Sequence, residues 1–302
     1  MVEVKSVLAN NPLLHDAVAA RELSGISGAE IFLLTQDGRH WFVRKAAGHA
    51  DGNARLRSQA VRQTVFAQKL DEVVRVPRIL DEGEIEGRFY FDMAFVRGVD
   101  GASYLRSASF AEVKGFAQRL SEYLSVAATE PALSAQVHPN IFEAFYAKIC
   151  EVQRKGVSVS DAVLAKLMLT LDRLRVLGDV RPTLCHGDLT LENMVIDAEG
   201  TIWVLDLLDS PFEHYWQDVA KLHQDLAGAW FFRNQPPIAR YVLDYVSRHL
   251  MQATVALHDV YRDIHWLLLA CTFARILPYA RTRHEADFIV ERLEYFVDQI
   301  TL

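Results

Sequence analysis

The sequence predicts an α+β chain of two lobes, a small antiparallel sheet followed by a larger, mostly helical part. Three observations carry this. Up to Gly98, short runs of β-branched and aromatic residues alternate with turn residues. Beyond Gly98 the apolar residues recur at helical spacing. One further pair of short apolar runs, Met194 to Ile196 and Ile202 to Leu205, interrupts the helices. The expected lobes are residues 1–97 and residues 98–302.

Composition narrows the class. The chain has 302 residues, 51% hydrophobic and 24% charged, which is ordinary for a globular protein with ample core. Its net charge of −7 gives no basic footprint for nucleic acid. Cys150, Cys185 and Cys271 are widely spaced, match neither a disulfide framework nor a metal motif, and fit a reducing compartment. The opening residues Met1 to Lys5 lack the pattern of a signal peptide. The most apolar late run, Trp266 to Ala274, is broken by Arg275 and is too short to span a bilayer. A cytoplasmic protein without a membrane span is expected.

The elements follow in order. Pro12 ahead of Leu13, Leu14, Ala17 and Val18 predicts a short leading helix. Ser24, Gly25, Ser27 and Gly28 then precede the apolar run from Ile31 to Leu34. Small residues in a strand-to-strand turn let backbone N–H groups approach phosphate oxygens, although an ordinary hairpin has the same composition. His40 to Lys45 reads as a strand, with Trp41, Val43 and Lys45 on one face and Phe42 and Arg44 on the other. A lysine on an apolar face is costly to bury unless an anion such as a phosphate meets it. A lysine reaching solvent from a strand end is the plain alternative.

Asn53 to Leu70 is an amphipathic helix built on Leu56, Ala60, Phe66 and Leu70, and it holds no Asp or Glu. An edge strand begins near Val76 to Leu80, and Arg88 to Val96 is a long apolar strand. In the second lobe, Ser109-Phe110-Ala111-Glu112 is a capping box. Ser160-Asp161 opens another helix, with Gly178 as its stop. Tyr215 to Trp230 reads as helix, and two or three more follow Pro236-Pro237. Trp216, Trp230, Phe231 and Phe232 read as packing residues in preference to a substrate cage. His223, His258 and His265 lack ligand spacing and receive no chemical role.

The chemistry concentrates between Cys185 and Asp206. Asp188 and Asn193 are five residues apart, which places both on one short loop. The two apolar runs joined by Ala198-Glu199-Gly200 form a hairpin that ends at Asp206. Such a hairpin returns Asp206 to the side of Asn193, so a carboxylate and an amide oxygen converge. Hard divalent cations choose oxygen ligands and take one or two carboxylates plus substrate phosphates. Asp188 would lie nearby, able to accept a proton from a hydroxyl. A polar turn with a surface hairpin is the bland alternative, but the three positions together follow the pattern of phosphoryl transfer.

With the two lobes, the stretch from Leu184 to Leu222 resembles the aminoglycoside phosphotransferase and choline kinase branch of the protein-kinase-like fold. The resemblance spans nearly the whole chain. It implies an ATP- and Mg²⁺-dependent phosphotransferase with Asp188 as catalytic base and Asn193 and Asp206 as metal ligands. Asp218 resembles the aspartate that braces the loop, and His186 is likewise structural. Lys45 resembles the lysine on the α- and β-phosphates. Met93, Ala94 and Val96 resemble the hinge that holds adenine through main-chain groups. Ser24, Gly25, Ser27 and Gly28 occupy the nucleotide-loop position without a full glycine-rich signature.

One departure stands out. The family pairs its lysine with a helix glutamate, and counting from Leu70 and Pro77 places Gln63 there, with Gln59 a turn earlier. A neutral acceptor holds a lysine more weakly than a charged one, so a nucleotide-binding pseudokinase with a regulatory role is the competing reading. Eleven residues separate Asp206 from Asp218, and no peptide-docking segment ends there. The acceptor is therefore expected to be a sugar, polyol, aminoglycoside-like compound or amino-alcohol. Asp209, Glu213 and Asp225 are the candidate acceptor contacts, against the alternative of a solvated acidic face.

Overall fold

The computed structural model describes residues 11–23, 28–70, 72–133, 140–154, 160–175, 180–210, 213–233 and 235–301. It divides into two compact units, residues 1–98 with 195–207, and residues 99–194 with 208–302. In the first, β1 (Ala19–Leu23), β2 (Ala29–Thr35), β3 (Trp41–Ala47), β4 (Ile79–Ile85) and β5 (Arg88–Ala94) form an antiparallel sheet in the order β1-β2-β3-β5-β4. The leading helix expected at Pro12 is a single 3-10 turn, Pro12–Leu14, capped by the Asn11 side chain. The first strand already begins at Ala19, which leaves no length for a longer helix.

Alternation along β3 sorts the two faces of the sheet. Phe42 and Ala46 pack with Leu13, Leu14, Phe32 and Leu34 beneath the leading turn. Val43 and Ala47 pack with Leu56 and Ala60 of α1 (Asn53–Leu70) and with Phe89 and Phe91. Arg44 lies on the first face and is 1% exposed. Its guanidinium makes two bonds of 2.8 Å to Asp92, which stands opposite it on β5. It also reaches Asp16 at 2.8 Å and the Leu13 carbonyl at 2.7 Å, tying the leading turn to the sheet. Forked pairs of this kind are the strong class of hydrogen bond.

β7 (Met194–Ile196) and β8 (Ile202–Val204) are the neighbouring strands of the expected hairpin. Gly200 takes φ +77° in its turn. Asp197 stiffens that turn, accepting from the N–H groups of Glu199 and Thr201 and from the Trp203 indole. The β8 main chain bonds Arg75 on both sides, at 2.8 Å each, through the Arg75 N–H to Ile202 and the Val204 N–H to Arg75. These bonds make the hairpin part of the first unit, although in sequence it lies among the helices.

The second unit opens with β6 (Val99–Asp100) and α2 (Gly101–Ser107), capped by Asp100. α3 (Phe110–Thr129) begins at the capping box of Ser109 and Glu112. α4 (Ile141–Arg154) and α5 (Asp161–Leu174) follow, and the expected stop at Gly178 lies outside the described residues. α6 (Tyr215–Leu226) ends earlier than expected. Ala229 takes φ +56°, outside the helical region, so the helix does not continue to Trp230, and Gly228 before it packs where a Cβ would meet the Phe273 ring at 2.4 Å. α7 (Arg240–Leu257), α8 (Tyr261–Ile276) and α9 (Arg283–Gln299) complete the unit. Every residue of α6 is buried, packed against α3, α7 and α8. Among the described residues no helix is long and apolar enough to cross a membrane.

Burial of histidine in this helical core has a consequence for acid stability. Burial holds His214 down to about 3, with His258 adding to it, and His265 down to about 4. Burial, with His265 beside it, also drives His223 well below its usual value. Each stays neutral when folded and takes up a proton on unfolding below about pH 6.5, so stability rises with pH through this range. Urea unfolding should lose roughly 3–5 kcal/mol between pH 6.5 and pH 5, on the order of 1.4 kcal/mol per pH unit for each fully charged histidine. A flat profile across that interval would contradict neutral burial.

Candidate active site

In the second unit, the loop from Cys185 to Asn193 is gathered by Asp218, in the first turn of α6. Asp218 is fully buried and accepts from the N–H groups of His186 at 2.8 Å and Gly187 at 2.9 Å. The Cys185 thiol donates to it at 3.3 Å, and the Tyr123 hydroxyl donates to its other oxygen. Burial and the Asp218 charge push the Tyr123 phenol well above its usual range, so it remains a donor. Gly187 takes φ +88°, and a Cβ there would stand 2.4 Å from the Leu208 carbonyl oxygen. Only glycine fits that turn. His186 is buried, its carbonyl accepts from the Leu208 N–H, and its Nδ1 accepts from the Asp188 N–H.

The loop brings Asp188 and Asn193 together. Asn193 lies in a 3-10 turn, Leu191–Asn193, and its Nδ2 donates to the Asp188 carbonyl at 2.8 Å and to Asp188 Oδ2 at 3.1 Å. With the amide N–H groups so engaged, the amide oxygen is the end that could meet a cation. Asp188 Oδ1 lies 2.8 Å from Lys221 Nζ on α6, a partner the sequence did not suggest. Burial alone would push the Asp188 carboxyl up; the Lys221 ammonium overrides it, with Arg275 and His186 adding, and the net shift is down.

The first unit holds Lys45 and Asp206. Lys45 is 1% exposed, and its Nζ bonds Asp206 Oδ1 at 2.5 Å. Asp206 takes φ +59°, a left-handed conformation that aspartate tolerates better than most residues and that recurs where a side chain must be aimed. Lys45 thus finds its carboxylate on the hairpin and not on α1. Gln63 is turned away, donating to the Pro77 carbonyl at 2.7 Å and towards the Met93 sulfur at 3.5 Å. The glutamine that faces open space is Gln59, which lines a cavity of about 230 Å³ with Gly28, Gly48, His49 and Arg55. Its Oε1 has no hydrogen-bond partner among the described residues.

The remaining expected positions divide. Ser24, Gly25 and Ser27 lie outside the described residues, and Gly28 borders the cavity with φ +74°. Met93 is buried, the Ala94 N–H donates to the Arg78 carbonyl, and Val96 lies half-buried beyond the end of β5. Asp209 is exposed. Glu213 and Asp225, expected to face the acceptor, are buried and serve the backbone instead: Glu213 accepts from the Leu133 N–H at 2.8 Å and Asp225 from the Leu191 N–H at 2.7 Å. A carboxylate removed from water needs such donors. Among the described residues no cluster of three or more His, Cys, Asp and Glu could hold a metal by itself. Within each unit an oxygen of the kind hard cations choose is presented, the Asn193 amide oxygen in the second and the Asp206 carboxylate in the first.

Residues 20–253 match the profile of the phosphotransferase enzyme family. No curated protein matches the chain. The GDP complex of wild-type aminoglycoside 2'-phosphotransferase-IIIa is similar over 93% of each chain, at 17% identity and a TM-score of 0.67. The choline kinase LicA from Streptococcus pneumoniae is similar over 94% of each chain, at 14% identity and a TM-score of 0.56. Amicoumacin kinase hAmiN in complex with AMP-PNP, Ca2+ and Ami is similar over 93% of this chain and 88% of that one, at 12% identity and a TM-score of 0.62. Identities this low carry the fold, and it is the α+β protein-kinase-like fold that the sequence predicted.

Asp218→Asn tests the anchor of the loop. The amide keeps the shape but turns an N–H₂ towards donors, leaving buried groups unsatisfied. A loss of about 3 kcal/mol in urea unfolding is expected. An unchanged unfolding midpoint would mean that the loop is held by something else.

Proposed function

The chain belongs to the phosphotransferase enzyme family, and from that premise we propose that it transfers the γ-phosphoryl group of ATP to a hydroxyl of a small molecule. The acceptor class is a sugar, polyol, aminoglycoside-like compound or amino-alcohol. The observation that carries this reading is the Asp188–Asn193 pair, with Asn193 Nδ2 on Asp188 Oδ2 at 3.1 Å and the Asp188 side chain 27% exposed. A hydroxyl can approach such a carboxylate, and the neighbouring amide keeps an oxygen for a cation.

The roles follow from the groups available. Asp188 orients the acceptor hydroxyl and takes its proton as the new oxygen–phosphorus bond forms and the bond to the β-phosphate oxygen breaks. Because Lys221 lowers its basicity, Asp188 works mainly by orientation, which suits a loose phosphoryl-transfer transition state with little need for early deprotonation. Asn193 and Asp206 would hold Mg²⁺, which supplies neutralisation of charge on the β- and γ-phosphate oxygens when bound. Lys45 exchanges part of its bond to Asp206 for oxygens of the α- and β-phosphates. The Gly28 cavity, with Gln59 on its wall, takes the phosphate end of the nucleotide, and main-chain groups of Met93 to Val96 take the adenine.

We assign nucleotide binding to the first unit and acceptor binding to the second, with Asp209 as the acidic acceptor contact. Cys150, Cys185 and Cys271 are held as thiols and not as disulfides, which accords with a cytoplasmic setting, where ATP is supplied. Phosphate transfer from MgATP to a panel of sugars, polyols and amino-alcohols tests the reading. Asp188→Asn should lower transfer to the accepted compound by about 10²–10⁴-fold while nucleotide binding persists. Transfer that survives the substitution at full rate would remove Asp188 from the mechanism.

A further inference from the structure

Lys221 is unexplained by packing alone. It stands three residues after Asp218 on α6, so the two side chains share one face of the helix. That face meets the loop twice. Asp218 receives the N–H groups of His186 and Gly187, and Lys221 Nζ lies 2.8 Å from Asp188 Oδ1. Lys221 is itself aimed by Gln224, a further three residues on, whose Oε1 accepts from Nζ at 3.0 Å. Both Lys221 and Gln224 are buried, whereas the Asp188 side chain is 27% exposed. The other charged groups acting on Lys221 are Arg275 and Asp225.

The Asp188 carboxylate is thereby gripped at both oxygens, Oδ1 by the Lys221 ammonium and Oδ2 by the Asn193 amide at 3.1 Å. The terminal torsion of an aspartate is otherwise a broad, two-fold rotor. Buried ion pairs can often be replaced by apolar packing at little cost to stability, so stability gives weak reason to place a lysine here. Orientation gives a stronger one, because the gripped carboxylate is the group that keeps a side open to solvent.

We infer that Lys221 is a positioning residue for phosphoryl transfer, fixing the plane of the Asp188 carboxylate so that its open side meets the acceptor hydroxyl. This rests on the phosphotransfer reading above.

The test uses ADP release from MgATP with water as acceptor. Here the γ-phosphoryl group passes to water, the water proton goes to Asp188 and then to solvent, and ADP and inorganic phosphate leave. Wild type, Lys221→Met and Lys221→Arg are compared in turnover, in MgATP affinity by thermal melt, and in urea unfolding. Lys221→Met should lower turnover about 100-fold, the loss that a misplacement of about 1 Å brings, with MgATP affinity unchanged. Lys221→Arg, which can grip Asp188 again, should recover part of it. Wild-type turnover in Lys221→Met, or two variants equally inactive and equally destabilised, would overturn the positioning role. A wild-type protein that does not bind MgATP would sink the phosphotransfer reading itself, and this role with it.

Discussion

Asp218 is fully buried and accepts from two backbone N–H groups, a thiol and a phenol. A loop that must carry polar side chains to the surface has little hydrophobic burial of its own to hold it. Anchoring through one interior carboxylate solves this, because each donor is charge-assisted and the acceptor sits on a helix that is buried along its whole length. From that anchor the rest of the loop takes its conformation: Gly187 in the left-handed region, Asp188 gripped from two sides, and Asn193 turned back towards Asp188.

The first unit handles charge in a related way. Adjacent residues of β3, Arg44 and Lys45, put buried cations on opposite faces of one strand, and each is met by carboxylate. Arg44 has Asp92 across the sheet and Asp16 from the leading turn, a closed network with no vacancy for a ligand. Lys45 has Asp206, whose side chain is 37% exposed and therefore open to exchange. The same chemistry thus closes one face of the strand and leaves a partly exposed carboxylate on the other. Hydrogen bonds from β8 to Arg75 are what bring the hairpin, and Asp206 with it, into this unit.

Much of this was legible in the sequence where the signal is local. The hairpin could be read from two short apolar runs around a glycine turn, α1 from its apolar face, and the start of α3 from its capping box. Burial of acidic groups could not be read that way: nothing in the composition around Glu213 or Asp225 says that backbone N–H groups await them. The choice between Gln59 and Gln63 turned on where Pro77 and Met93 lie in space, a tertiary matter. Arg44 likewise meets partners far off in sequence. Lys221 did leave a trace, a lysine one turn after the bracing Asp218, which helical periodicity can reveal once the helix is known to be buried along its whole length.

In the proposed function, Lys45 and Asp206 form part of a site for a magnesium nucleotide. The most direct test is a thermal melt of the whole chain with MgATP, with ATP plus chelator, and with MgATP on Asp206→Asn. A ligand at about a hundred times its dissociation constant adds roughly 2.7 kcal/mol of stability. That stabilisation is expected for MgATP on the wild-type chain, with its loss both with chelator and in Asp206→Asn. An equal shift in all three conditions would contradict the assignment of Asp206 to the metal, and no shift with MgATP would contradict the nucleotide site.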